Sequence, residues 1–113
     1  PLPLLAQPTE MMAAAQTNGV PGVLLTWTAS LTPGTTVSIY RCVGTPCTAT
    51  SSFTPLTTGV VAAGPYTDTT ITAGIYSYYG VAVANGASAP ASNIVSITVS
   101  PQPITGLSAT ATP

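Results

Sequence analysis

Lysine and histidine are absent from this sequence, and its charged side chains number three: Glu10, Arg41 and Asp68, for a formal net charge of −1. Each absence removes a class of function. A nucleic-acid surface needs a basic stripe to neutralise phosphates, and a single arginine does not supply one. A polybasic patch for anionic lipid is excluded on the same ground. A catalytic carboxylate pair, a histidine-centred triad and a histidine/cysteine zinc site all lack their residues. Serine and threonine are plentiful, yet no base is present to activate a hydroxyl as a nucleophile. No cofactor or metal is therefore expected. Long apolar runs are missing too: the longest, such as Val81–Ala84, are four or five residues, against the ~20 that span a bilayer. No membrane insertion is expected. No apolar leader with basic flanks opens the chain, and residue 1 is Pro, which reads as a processed product or an excised piece.

What is present argues for order. The chain is 45% hydrophobic, too apolar for a disordered segment, which combines low hydrophobicity with high charge. Its 21 Thr and 10 Ser, with 12 Pro and 10 Gly, fit strands and turns under a neutral, hydroxyl-coated surface. Pro or Gly interrupts nearly every window of helical length. Glu10–Thr17, with Met11, Met12 and three Ala, has room for two helical turns, but no apolar stripe at helical spacing follows; it reads as an edge strand. Val23–Thr28 alternates with Val23, Leu25 and Trp27 on one face, and Val37–Arg41 alternates after a Thr32-Pro33-Gly34 turn. Phe53–Leu56 and Gly59–Ala62 are weaker runs, Tyr66–Ile71 is short, Ile75–Ala84 is long and aromatic, and Ile94–Val99 closes the set. Asn85-Gly86 and Ala89-Pro90 mark loops. Together these give about seven strands at sandwich spacing.

In this order the residues resemble the fibronectin type III domain, in the style of bacterial extracellular modules, over Thr9 to Ser100. The resemblance rests on Leu25-Thr26-Trp27 in the second strand and Val37-Ser38-Ile39-Tyr40-Arg41 in the third. Tyr66-Thr67-Asp68-Thr69-Thr70-Ile71-Thr72-Ala73-Gly74 matches the fifth strand and its turn. Tyr76-Ser77-Tyr78-Tyr79, Val81–Asn85 and Ser92-Asn93 follow. It implies an all-β, seven-stranded Greek-key β-sandwich, immunoglobulin-like, with Trp27 buried. Leu25, Trp27, Val37 and Ile39 are the expected core of the first sequence half. The tyrosine-rich strand admits two registers. Sandwiches of this kind place a tyrosine near its start, bonded back to upstream backbone; with Tyr76 in that role, Tyr78, Gly80, Ala82 and Ala84 face inward, a thin contribution to packing. The alternative puts Tyr79, Val81 and Val83 inward with a bulge near Ser77–Tyr78, and packing favours it.

Cys42 and Cys47 are the only thiols and bracket a Gly/Pro turn after the third strand, where a hairpin brings them opposite one another. A redox pair calls for a CxxC motif at a helix N-terminus, and metal binding lacks further ligands, so a structural disulfide is expected, with an oxidising compartment. Asp68 among Thr67, Thr69 and Thr70 is one carboxylate, too few for calcium; it is expected to fix a turn through side-chain-to-backbone bonds. Arg41, the sole cation, has two candidate ionic partners, Asp68 and Glu10, with capping of the sheet surface as the remaining alternative. N-glycosylation sequons are absent at Asn18, Asn85 and Asn93, leaving only hydroxyls as acceptors for sugar.

The two ends resemble each other. Thr, an apolar Met or Leu, and two Ala recur at the same offsets from Thr9 and Thr105, 96 residues apart, about one repeat of such a family. The chain therefore divides into 1–8, a linker or N-terminal extension; 9–100, the fibronectin type III-like domain; and 101–113, a Pro-rich linker with a tail like the first strand of a next domain. Ile104, Thr105, Leu107, Ala109 and Ala111 are the expected contacts of that tail with a neighbouring repeat or subunit. The expected function is a non-catalytic extracellular structural or adhesion module, secreted or on the cell surface, in a repetitive or self-associating assembly. Its partners would be copies of itself or neighbouring repeats. The alternatives are a self-polymerising filament subunit and an accessory module of a secreted carbohydrate-active enzyme, the last without a visible glycan-binding surface.

Overall fold

The computed structural model describes residues 7–16, 22–29, 33–84 and 86–100. The tail residues Ile104, Thr105, Leu107, Ala109 and Ala111 lie outside the described residues, as do 1–6 of the N-terminal extension.

Two antiparallel sheets form a sandwich. The first holds β1 (Thr9–Ala15), β2 (Val23–Thr28) and β5 (Tyr66–Asp68) in the order β1-β2-β5. The second holds β3 (Thr36–Val43), β4 (Thr54–Val61), β6 (Gly74–Ala84), β7 (Ala87–Ser88) and β8 (Val95–Val99). Its order is β4-β3-β6-β7, with β8 also paired to β6. The chain changes sheet between β2 and β3, β4 and β5, and β5 and β6, which is the Greek-key pattern. The described strands number eight because β7 adds a two-residue pairing with β6.

The alternation seen in the sequence sets the core. On β2, Val23 and Leu25 are wholly buried and Trp27 nearly so, while Thr26 and Thr28 face solvent. Val37 and Ile39 meet them from β3, together with Met11, Ile71, Tyr76, Tyr78 and Val99. The Trp27 indole N–H donates to the Ala62 carbonyl at 2.9 Å, so the buried polar end of the ring is satisfied.

Two expectations need correction. The runs Phe53–Leu56 and Gly59–Ala62 merge into one edge strand, β4, spanning Thr54–Val61, whose pairing with β3 slips between Val37 and Ile39 and again between Ile39 and Tyr40. Gly59, at φ +75°, occupies the first slip, where the left-handed backbone suits glycine. The larger correction concerns β6. Tyr79, Val81 and Val83 do not face the core, and β6 pairs with β3 without a break from Thr36↔Val83 to Val43↔Tyr76. Tyr76, Tyr78, Gly80 and Ala82 point inward instead. Gly80 leaves no gap in this register. A Cβ there would stand 2.9 Å from Met11 Cε and 3.1 Å from Val37 Cγ1, so neighbouring side chains already fill the space the glycine leaves.

Tyr79 is nevertheless buried, in a second cluster on the outer face of this sheet. Its ring stacks on Tyr40 across the strand pair, centroids 4.8 Å apart, and meets the edge of Phe53 at 4.8 Å. Cys42, Cys47, Val81, Ala91 and Ile94 complete the cluster. Two loops, one after β3 and one before β8, thus roof a face that alternation alone would leave to water.

Candidate functional site

Asp68 ends β5 and carries the one carboxylate inside the sandwich, with no exposed surface. Its Oδ1 accepts hydrogen bonds from the Thr70 backbone N–H at 3.0 Å and the Thr70 hydroxyl at 2.7 Å. Its Oδ2 accepts from the Tyr78 hydroxyl at 2.7 Å and from Arg41 Nη1 at 2.9 Å. The same Nη1 donates to Thr70 Oγ1 at 2.9 Å, and the guanidinium lies 5.8 Å from the centroid of the Tyr76 ring. Strands β3, β5 and β6 are joined here across the two sheets.

The electrostatics follow from this crowding. Burial alone would raise the Asp68 carboxyl, but hydrogen bonds from Thr70, Tyr78 and Arg41 outweigh it and hold the group below its ordinary range. Burial, the bond to Asp68 and the charge of Asp68 push the Tyr78 hydroxyl well above its ordinary value. An ionised carboxylate offers about four acceptor positions, and four donors occupy them. The group has no lone pair free to take a proton from a substrate or to bind a cation. Among the described residues no group of three or more potential metal ligands exists.

The turn-fixing role expected of Asp68 is present in its bonds to Thr70, and Arg41 pairs with Asp68 rather than Glu10. The link to Tyr78 was not foreseen, because the inward register of β6 decides it. Two residues earlier, the Tyr76 hydroxyl accepts from the Thr72 N–H at 3.0 Å and donates to the Thr72 carbonyl at 2.9 Å, the back-bonded tyrosine of such sandwiches.

Cys42 and Cys47 are bonded, with Cα atoms 6.3 Å apart. The loop they close is tied down a second time: the Cys47 N–H donates to Ser77 Oγ at 3.0 Å, and Ser77 Oγ bonds Ser96 Oγ at 2.7 Å. Nothing in the sequence marked these serines; only their place on β6 and β8 does. Tyr76, Tyr78 and Tyr79 are buried, and Tyr40 and Tyr66 are half-buried, so no row of exposed tyrosines exists to stack on a sugar.

No protein-family model and no curated protein sequence matches the chain. Solved structures do. A fibronectin type III-like protein from Clostridium thermocellum is 27% identical, covering 84% of this chain and 93% of its own, with a TM-score of 0.67. The fold is that of the fibronectin type III domain. Two domains of the human fibronectin type III domain containing protein 3, each 15% identical, superpose with a TM-score of 0.61. They cover 87% and 96% of this chain and 88% and 97% of their own. Fibronectin type III domains are commonly extracellular modules and generally non-catalytic, and the disulfide is consistent with an oxidising compartment.

Proposed function

We propose that the chain is a non-catalytic structural module of an extracellular assembly, in contact with copies of itself or neighbouring repeats. The fate of its charges carries this reading. Asp68 is buried and neutralises the partly exposed Arg41, so among the described residues Glu10 on β1 is the one charged side chain without an ionic partner at the surface. Net charge of one sign keeps soluble monomers apart, and this surface has almost none. Its open β4 edge is shielded by slips in pairing and by Pro55, not by Lys. A filament subunit that uses residues 101–113 for subunit contacts is the more specific form of the same reading.

Sedimentation velocity over a wide concentration range tests it, on the full chain and on a chain lacking residues 101–113. Association of the full chain supports the reading, and its loss on truncation of a still-folded domain supports the filament form. A full chain that stays monomeric at the highest concentration overturns self-association.

A further inference from the structure

The hydroxyls of this protein are not all alike. Thr45 Oγ1 lies against Cys47 Sγ, Thr54 donates to the Arg41 carbonyl, Thr70 serves Asp68, and Ser77 and Ser96 hold the disulfide loop. Thr48, Thr50, Ser51 and Ser52 differ. All four are exposed, and none of their hydroxyls is engaged by another side chain or backbone group among the described residues. They fall within five positions, with Ala49 as the remaining residue, and the buried Cys47 and Phe53 flank them on either side.

Their backbone is equally distinctive. Ala49 is extended, Thr50–Ser52 form a single 3-10 turn, and the segment belongs to no strand. Only the Ser52 N–H to Ala49 carbonyl and Phe53 N–H to Thr50 carbonyl bonds hold it locally. An enzyme that threads an extended acceptor into its cleft need break no sheet ladder here, as it must for Thr26 or Thr98. The disulfide and Phe53, packed on Tyr79, fix both ends of the display.

We infer that Thr48, Thr50, Ser51 and Ser52 form an acceptor segment for O-linked sugar. In the transfer, the Thr or Ser hydroxyl oxygen attacks the anomeric carbon of a phosphate-activated sugar. A new C–O bond forms, the bond from that carbon to the phosphate oxygen breaks, and the phosphate leaves with its electron pair. The hydroxyl proton passes to the transferase's base. Neutral sugar supplies hydration to a surface that lacks charge, and it marks a side of the module that stays open to solvent in an assembly.

The inference rests on the extracellular reading, and one preparation separates the two. The protein is purified from the cells that make it, the culture fluid and the cell contents are kept apart, and the intact mass is measured. Modified residues are then located by electron-transfer fragmentation. The expected result is extracellular protein heavier than its sequence by whole-sugar increments, with sugars on residues 48–52. Replacing all four with Ala should remove those increments, and circular dichroism checks its fold. Extracellular protein of unmodified mass, or with sugars confined to other residues, overturns the acceptor segment and leaves the extracellular reading intact. Protein retained inside the cell with free Cys42 and Cys47 overturns both. Mapping on the natural chain decides the matter even if the quadruple variant fails to fold.

Discussion

Tyr78 donates its hydroxyl to Asp68 Oδ2 at 2.7 Å, and neither side chain has any exposed surface. The bond joins β6 of one sheet to β5 of the other. It makes the relative placement of the sheets specific in a way that apolar contact, indifferent to small slides, does not. Tyr78→Phe removes one of four donors and should cost about 1.5–3 kcal/mol, the range for a hydrogen bond to a charged group. Asp68→Asn leaves Arg41 without its counter-ion; because that guanidinium is partly exposed, roughly 2–4 kcal/mol is expected. Urea unfolding of both variants and the double variant should show clear non-additivity.

The same cluster sets a pH window. Asp68 has a lowered folded-state pKa, so its contribution is complete above the unfolded value of about 3.9 and is lost as pH falls further. Tyr78 has a raised one, so its contribution is complete below the unfolded value of about 10 and is lost as pH rises. The urea midpoint should be level from about pH 5 to 9 and decline on both sides. In Asp68→Asn the acid decline should flatten. An acid decline unchanged in that variant would show that another group controls it.

Trp27→Ala should cost ~3–5 kcal/mol as a large-to-small core change, enough to unfold a domain of ordinary stability. Trp27→Phe separates packing from hydrogen bonding. It keeps an aromatic ring but leaves the Ala62 carbonyl unpaired, and about 1–3 kcal/mol is expected. Thermal unfolding followed by circular dichroism distinguishes the two costs.

Gly80→Ala tests the register of β6. The added methyl would meet Met11 Cε and Val37 Cγ1 inside the sandwich, and overpacking of about 1–3 kcal/mol should follow. Met11→Ala in the same chain should relieve part of that loss. A neutral Gly80→Ala would mean that this face of β6 does not point inward.

Opening the disulfide should have a small effect. The chain-entropy argument gives about 2 kcal/mol for so short a loop, and the Cys47 N–H keeps its bond to Ser77. Cys42→Ser with Cys47→Ser should therefore fold, with its denaturation midpoint lowered accordingly. Mass spectrometry of an unreduced digest checks the bond itself.

The legible part of this fold was most of its strand set, apart from the joining of two runs into β4 and the short β7, with Trp27 among the core residues and the pairing of Cys42 with Cys47. These depend on alternation and on neighbours close in sequence. What escaped depends on contacts across the sandwich. Judged alone, Gly80 looks like a gap; Met11 and Val37, distant in sequence, close it. Tyr79 looks like core because it is buried, but its burial comes from loops folding onto the outer face. Asp68 looked like a turn residue, and it is one, but its second oxygen serves Tyr78 and Arg41.

At the start of β1, Glu10 takes φ 58° and the pairing with β2 slips between Thr9 and Met12. The Asn93 side chain covers that gap: its Oδ1 accepts from the Met11 N–H at 2.9 Å and its Nδ2 donates to the Met11 carbonyl at 3.1 Å. An amide side chain thus stands in for a peptide group of a neighbouring strand. The side-chain clip resists separation of β1 from the segment before β8, while the ladder from Met12 to Ala15 resists separation from β2. β1 is thus held on two sides by different means, by an amide side chain on one and by a backbone ladder on the other.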